Sequence, residues 1–444
     1  MNKINSLIWI FCIILLLTQR VNALTSSSSS YLISNAALSI YDYETASNYL
    51  NDDQFFDNNI VELNKRLTSF VISNKLEQAV NISKKIIRLD SSFQEAWMVY
   101  LTYASLNNEN NFFKEFQSLN NYRELKIVNQ VFYENNLRKK NNKKVAETLF
   151  NIIQEYNNSN LKNQNRIDHF LFFLVLILNL NPEFNEALFL QAQILQQLKY
   201  FDQAEYIYNN ISLSHVLYIE AQKNIVTNKN KEGKFDDAKN ILISLIDLNP
   251  QNNSLILLLA DLYRNNKIYD QAIKYYTKLI VEGNIIDDKL WDIYYMRGIC
   301  YERLNRWKES ENDFQKALEI KPNQPQVLNY LAYGWIERNI NFDKSLKMLI
   351  IASDKNPENF YILDSLAWAY FKKNNFPMAL EIMEKVIKLA PAEAISLDHL
   401  GDIYWAVGRK REAYFMWKQA IDLAEPEDEI IDSVQFKLDQ FNAE

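Results

Sequence analysis

A repeated spacing of small residues is the feature that most constrains the fold. One set of seven small residues recurs at steps of 34, 34, 38, 35, 34 and 34 and comprises Ala204, Ala238, Ala272, Ser310, Ser345, Ala379 and Ala413. A second set lies 12 residues earlier in each copy, or 13 before Ser345, and comprises Ala192, Val226, Ala260, Gly298, Ala332, Ala367 and Gly401. Such a period indicates stacked copies of one small unit rather than a single compact core.

The use of glycine and proline indicates that each unit is helical. The 444 residues include only 6 Gly and 8 Pro, whereas a β-rich chain of this length needs many tight turns. Pro322, Pro357, Pro391 and Pro426 keep the period, at steps of 35, 34 and 35. Because proline interrupts helices, each one is expected where one helix stops and the next begins.

The pattern resembles the tetratricopeptide repeat, a 34-residue unit of two helices with small, aromatic and proline positions at fixed spacing. The last copy carries it in Leu397, Leu400, Gly401, Tyr404, Ala413, Trp417 and Ala420. The preceding copy carries it in Leu363, Leu366, Ala367, Tyr370, Ala379, Met383 and Pro391. The resemblance implies an all-α fold, an α-solenoid in which helix-turn-helix units stack into a right-handed superhelix with a concave groove.

The repeat register divides the chain into segments. Seven repeats are predicted in residues 185–427, at 185–218, 219–252, 253–286, 291–324, 325–359, 360–393 and 394–427. Weaker repeats are expected over 31–107, and a divergent helical segment is expected over 108–184. The apolar run at 170–178 in that segment is too short to span a membrane and predicts a buried helix. Residues 428–444 are expected to form a helix that caps the last repeat with one apolar face.

The N-terminal segment is typical of an export signal. Lys3 precedes an apolar stretch at 7–17, and Ala23 ends a small-residue cleavage site. A signal peptide over 1–23 and a flexible Ser-rich spacer over 24–30 are therefore expected. The mature chain would then be periplasmic or secreted; in the alternative, residues 7–17 remain as an inner-membrane anchor.

The ionisable and nucleophilic residues argue against several functional classes. A net charge of -7 disfavours nucleic-acid binding, and the basic residues at 138–144 are interpreted as a solvated helix face. The histidines His169, His215 and His399 fall in different helical units, so neither a metal site nor a nucleophile–base pair is indicated. Cys300 is expected to be a packed thiol. No catalytic residue, cofactor or small-molecule substrate is predicted.

The family resemblance also implies a binding surface. In proteins with this repeat, first-helix residues at a few recurrent positions line the concave groove. Those positions here hold Tyr295, Asn329, Tyr333, Asp364, Trp368, Asp398, Asp402 and Trp405. The groove would be aromatic and acidic and would suit a protein or peptide partner with basic or aromatic residues. In a second interpretation some of these aromatics, Trp405 especially, pack between repeats instead.

The sequence therefore predicts a non-catalytic protein-interaction scaffold or adaptor of the bacterial cell envelope. The alternative is a subunit of an envelope enzyme or processing complex with its activity in residues 108–184. Continued helix pairs in that segment would favour the scaffold, whereas a non-helical insertion with clustered polar groups would favour the enzyme.

Overall fold

The computed structural model describes residues 27–50, 58–118, 125–133, 141–158, 165–283, 287–424 and 430–443. The expected signal peptide lies outside these ranges. Within them the chain forms helices and turns and no β-strand, as the all-α prediction requires. The chain divides into two compact units, Met1–Lys231 (unit 1) and Glu232–Glu444 (unit 2).

The described part of unit 1 consists of helices packed against their neighbours along the chain. These helices are α1 Ser27–Ser39, α2 Tyr43–Tyr49, α3 Ile60–Ile72, α4 Leu76–Leu89, α5 Gln94–Asn107, α6 Asn110–Gln117, α7 Lys126–Val128, α8 Asn142–Asn158, α9 Asn165–Leu180, α10 Asn185–Gln197, α11 Phe201–Tyr208 and α12 Tyr218–Lys231, with a π-helical segment Asn129–Tyr133 after α7. Of the flexible spacer predicted over 24–30, residues 27–30 instead form the first turn of α1, and Ser30 is buried.

The apolar helix α9 occupies the centre of unit 1. Its residues 170–177 are all buried, and it contacts α8 and α10, its neighbours in sequence, together with α3 and α5. The Asn179 side-chain amide donates to Asn74 Oδ1 at 2.9 Å across 105 residues of sequence. The run at 170–178 is thus a buried helix, and the chain returns at α9 to pack on α3. In a simple repeat array each unit contacts only its neighbours, so unit 1 departs from that pattern.

Unit 2 is a regular stack of helix pairs, in which each helix contacts the next along the chain. Its helices are α13 Phe235–Leu248, α14 Asn253–Asn265, α15 Tyr269–Glu282, α16 Asp287–Arg303, α17 Trp307–Ile320, α18 Pro325–Glu337, α19 Phe342–Lys355, α20 Phe360–Lys372, α21 Phe376–Leu389, α22 Ala394–Ala406, α23 Lys410–Leu423 and α24 Ile430–Ala443. We call α14, α16, α18, α20 and α22 the first helices of their pairs. The final helix, α24, packs on α22 and α23.

The small residues of the two periodic sets are buried in the helix stack. Every member of the first set has no exposed surface, from Ala204 to Ala413. The Ser310 hydroxyl even donates to the Gly298 carbonyl of the other set at 2.8 Å. Larger side chains at these positions would force the two helices apart. The spacing in the sequence therefore reflects a packing requirement within each pair.

A third periodic set, found only in the structure, forms the turns inside the pairs. Each turn has one residue with a positive φ of 56° to 83°, at Lys199, Gly233, Lys267, Asn305, Asn339, Asn374 and Gly408. After Lys199, Lys267, Asn305, Asn339, Asn374 and Gly408, the next residue's N–H bonds a carbonyl five residues back, as Arg409 does to Tyr404 at 2.9 Å. Asparagine tolerates this left-handed conformation, which helps a helical array to form with so little glycine. A second left-handed residue, Asn341, accommodates the additional residue of the 325–359 repeat.

Candidate functional site

The first helices of unit 2 include a continuous layer of α18, α20 and α22, because α18 contacts α20 and α20 contacts α22; α24 extends this layer by contacting α22. All eight residues assigned from the sequence to the groove belong to these first helices. We call the surface that they form the first-helix surface, and it consists of Tyr295, Asn329, Tyr333, Asp364, Trp368, Asp398, Asp402 and Trp405. The structure divides them into packing residues, residues covered by α24, and a central group with unsatisfied polar atoms.

Two of the aromatic residues pack between helix pairs. Tyr295 is 9% exposed and contacts the rings of Phe314 and Tyr330. Trp368 is 7% exposed; its ring stacks on His399, with centroids 4.0 Å apart. The Trp368 indole N–H donates to Glu337 Oε1 at 2.7 Å. Both side chains thus stabilise contacts between neighbouring pairs.

The helix α24 covers the C-terminal end of the first-helix surface. The Lys437 ammonium bonds Asp398 at 2.6 Å and Asp402 at 2.7 Å. Trp405 lies against Trp417 and Phe441, with ring centroids 5.5 and 6.3 Å apart. A helix of the same chain therefore satisfies the two carboxylates. Sequence reasoning expected a cap here but missed the role of Lys437, because its partners lie 35 and 39 residues away.

The central group surrounds Tyr333. Burial raises the pKa of this phenol, and the nearby carboxylates of Glu337, Asp364, Glu302 and Asp398 raise it further. Negative charge near the hydroxyl disfavours phenolate formation. The Tyr333 hydroxyl therefore remains protonated at neutral pH, in a region rich in carboxylates.

Two buried acceptor atoms near Tyr333 have no hydrogen-bond partner. They are Oδ1 of Asn329, one turn before Tyr333 on α18, and Oδ1 of Asp364 on α20. Asp364 is 7% exposed, and its other oxygen bonds His399 Nδ1 at 3.0 Å. A buried acceptor without a donor costs about 1–3 kcal/mol. Because both atoms have almost no accessible surface, a molecule bound at this part of the surface would bring N–H donors to them only if the neighbouring side chains move.

His399 is a buried titratable group next to this surface. Burial alone would lower its pKa, but Asp364, Asp398 and Asp402 raise it above its usual value. Lys437 also bonds the two carboxylates of α22. Because the pKa of His399 is higher in the folded chain than in the unfolded chain, where it is about 6.5, the imidazolium stabilises the fold fully at pH values below 6.5. This stabilisation is lost as pH rises through the folded-state pKa.

We expect the difference in free energy of unfolding between the wild type and His399→Gln to fall as pH rises above about 6.5, by at most about 1.4 kcal/mol per pH unit. Urea unfolding of both chains at pH 6, 7, 8 and 9 measures this difference. A difference that stays constant or grows over this range would mean that Asp364 does not hold a protonated imidazole.

Several other sequence expectations fall elsewhere in the structure. Cys300 is completely buried, and burial raises the pKa of its thiol to about 12, which opposes nucleophilic reactivity. Of the basic cluster, residues 138–140 lie outside the described ranges, while Lys143 and Lys144 are exposed. The described residues contain no group of three or more His, Cys, Asp or Glu that could hold a metal ion. None of the helices described here is long and apolar enough to cross a membrane.

Family models described as tetratricopeptide repeat match residues 231–284, 291–324 and 361–393, and the second of these ranges coincides with a repeat predicted from spacing. A TPR repeat-containing protein of Pseudomonas aeruginosa is 25% identical over 173 residues, which are 39% of this chain and only 28% of that protein.

Two solved structures are also similar. A tetratricopeptide repeat protein from Parabacteroides merdae gives a TM-score of 0.45 with 19% identity, over 58% of this chain and 98% of that one. Yeast Tom70 gives a TM-score of 0.43 with 16% identity, over 94% of this chain and 96% of that one.

Proposed function

Since the chain carries tetratricopeptide repeats and so belongs to that superfamily, we propose that it is a non-catalytic protein-interaction scaffold or adaptor. Unit 2 would bind a segment of a partner protein along the uncovered part of the first-helix surface, around Tyr333. The observation that carries this proposal is the pair of unsatisfied buried acceptors, Asn329 Oδ1 and Asp364 Oδ1. A partner whose binding moves the neighbouring side chains and brings donors to these two enclosed atoms would remove a cost that the free chain bears.

The chemistry of the partner follows from the charges near Tyr333. Besides burial, the carboxylates of Glu302, Glu337 and Asp364 raise the pKa of its hydroxyl. On the neighbouring helix α22, two further carboxylates already bind the basic side chain of Lys437. A partner segment with Lys or Arg would supply donors and neutralise charge at once. Tyr333 would provide the aromatic contact, since partly desolvated aromatic residues often dominate binding energy.

The rival enzyme hypothesis finds less support. The described part of residues 108–184 continues as helices, and α8 and α9 form a pair. This is the outcome expected for a scaffold rather than for a polar insertion. The elevated pKa of the Cys300 thiol also removes the one cysteine of unit 2 from consideration as a nucleophile.

For the location we also propose export to the bacterial cell envelope, supported by the sequence of residues 1–23 alone. N-terminal sequencing of the native protein is expected to begin at Leu24. Recovery of an intact Met1 in a membrane fraction would instead support the anchored alternative.

Substitutions at two neighbouring positions test the binding surface. Tyr333→Ala should weaken partner binding by about 2 kcal/mol or more, roughly 30-fold. Asn329→Ala should also weaken binding yet leave the free chain at least as stable, because it removes an unsatisfied buried acceptor. A partner captured from an envelope extract and then purified would be titrated calorimetrically against each variant, with urea unfolding run in parallel.

The matched controls lie on second helices of the same unit. Phe415 on α23 is 60% exposed, and Asp354 on α19 is exposed, so Phe415→Ala and Asp354→Asn should leave affinity unchanged. Equal binding by the wild type and Tyr333→Ala, with both chains folded, would place the partner on another surface.

A further inference from the structure

Unit 1 contains a cleft of about 910 Å³ that has no counterpart in the sequence analysis. It lies between the start of α2, the end of α3, one side of α9, and the pair α10 and α11. Its volume is at the upper end of the range of about 300–1,000 Å³ that is usual for ligand pockets.

The cleft exists because two helices that should cover α9 are short. The second helices of unit 2, such as α13, α15 and α17, have 14 residues each, whereas α11 has 8 and α2 has 7. After Tyr208 the chain turns away, and the Ser212 N–H bonds Asn185 Oδ1 at 2.8 Å. The space that a full-length helix would fill beside Leu178 and Asn179 of α9 is therefore left open, although residues 170–177 of α9 are themselves buried.

Side-chain hydrogen bonds fix the walls of the cleft. The Tyr43 hydroxyl donates to Asp168 Oδ1 at 2.5 Å, which ties α2 to α9. The Tyr200 hydroxyl donates to the Ile40 carbonyl at 2.8 Å, which ties the start of α11 to the turn before α2. Because these bonds join segments 125 and 160 residues apart, the cleft is formed before any ligand enters it.

The face of α10 in the cleft differs from the face that corresponds to the first-helix surface of unit 2. Leu188, Gln191 and Leu195 line the cleft. The positions equivalent to those of Tyr295 and Ile299 in the 291–324 repeat are Phe189 and Gln193, which do not line it. At 3.6 residues per turn, the row of Leu188, Gln191 and Leu195 and the row of Phe189 and Gln193 lie on different sides of α10. The cleft is thus a separate candidate site.

The chemistry of the lining indicates what would bind there. Leu171 and Val175 of α9, with Leu188 of α10, make an apolar floor. Asp42, Glu44 and Asp202 are among the lining residues, which include no Lys or Arg. Lys75 neutralises Glu44 at 3.0 Å, and Asp42 caps α2 through the Thr45 N–H, so Asp202 provides the most accessible negative charge.

The aromatic edge of the cleft adds a contact surface. Tyr206 is 72% exposed and lies one turn from Asp202 on α11. The exposed side chains of Gln203 and Asn210 lie on the same rim and suit the N–H and C=O groups of a peptide backbone.

We propose that this cleft binds a segment of a partner protein that combines apolar side chains with lysine or arginine. The apolar side chains enter against α9, the cationic groups face Asp202, and Tyr206 covers the bound segment. This site is independent of the one around Tyr333, so either can fail without the other. A chain with both would hold two segments at once.

The test uses fluorescein-labelled 12-residue peptides added to the full chain and followed by anisotropy. One peptide repeats Leu-Lys-Ser, the second repeats Leu-Glu-Ser, and the third repeats Ser-Lys-Ser. We expect only the first to bind. The double variant Asp202→Lys/Tyr206→Ala should weaken its binding by about tenfold or more. The control double variant Asp270→Lys/Phe415→Ala should have no effect on this binding. Asp270 is an exposed aspartate on α15 at the repeat position equivalent to Asp202, and Phe415 is an exposed aromatic residue.

A benzophenone on the peptide locates the bound segment independently. Crosslinks to α9, α10 or α11 would support the cleft, and Tyr333→Ala should not change them. Absence of binding at 1 mM peptide, equal binding of the Leu-Glu-Ser peptide, or crosslinks confined to unit 2 would each overturn the proposal. Self-association of the free chain that the double variant abolishes would also overturn it, since the occupant would then be a second copy.

Discussion

Replacing Asp313 with alanine is expected to lower the free energy of unfolding of unit 2 by about 3–5 kcal/mol, because it leaves a buried arginine without its carboxylate. Asp313 on α17 has a side chain only 1% exposed and Arg297 on α16 one 13% exposed. Their two parallel hydrogen bonds are both 2.7 Å long. Arg297 also donates to Thr277 of α15 at 2.9 Å. One guanidinium therefore joins three successive helices.

The same pair should tolerate replacement of both partners. Burial raises the pKa of Asp313 even though Arg297 acts to lower it, whereas Asp313 raises the pKa of Arg297 despite the burial of the guanidinium. Desolvation of the two groups offsets much of their attraction. We therefore expect Arg297→Met/Asp313→Leu to be within about 1–2 kcal/mol of the wild type. Urea unfolding followed by circular dichroism measures both variants. If Asp313→Ala is as stable as Arg297→Met/Asp313→Leu, the ion pair contributes little to the free energy of unfolding.

The second large effect is expected for Gly401→Ala in α22. A Cβ atom added there would lie 2.4 Å from both Cδ1 and Nε1 of Trp417. The indole cannot move aside freely, because its N–H donates to Asp402 Oδ1 at 3.1 Å. Overpacking of this kind typically costs about 1–3 kcal/mol, which exceeds the gain of up to about 1 kcal/mol from replacing glycine within a helix.

A smaller side chain at position 417 should restore stability to the Gly401→Ala variant. We expect Gly401→Ala/Trp417→Leu to be more stable than the sum of the two single changes implies, since Trp417→Leu removes the ring that the new methyl group would contact. Hydrogen exchange should place the loss of protection in the last repeat and its neighbours. Loss spread evenly over unit 2, or strict additivity of the two changes, would contradict the packing described for this pair.

The sequence predicted the features that depend on local repetition. The two sets of small residues, exemplified by Gly298 and Ser310, could be found by spacing because one packing requirement recurs in every pair. The left-handed turn residues recur with the same period, and Asn305, Asn339 and Asn374 could have revealed them. They were missed because asparagine is common in this chain, whereas only the backbone shows its positive φ.

The rest could not be predicted because it depends on contacts without a period. Of the residues assigned to the groove, Tyr295 and Trp368 lie in the packing between helix pairs, and Lys437 covers Asp398 and Asp402. Which side of a first helix faces a neighbour depends on how pairs stack, which the family resemblance alone did not specify. The cleft of unit 1 depends on the return of α9 to α3, and no repeat register encodes that pairing.

The most direct test of the central claim places a photoreactive residue on each side of unit 2 in cells that make the protein. Benzoylphenylalanine at position 333 on the first-helix surface and at position 415 on the second helix α23 would be compared after irradiation. We expect position 333 to crosslink to a partner protein and position 415 not to do so, with Asn329→Ala reducing the yield at 333. Partner crosslinks from position 415 and none from position 333 would contradict the claim that the first-helix surface binds the partner.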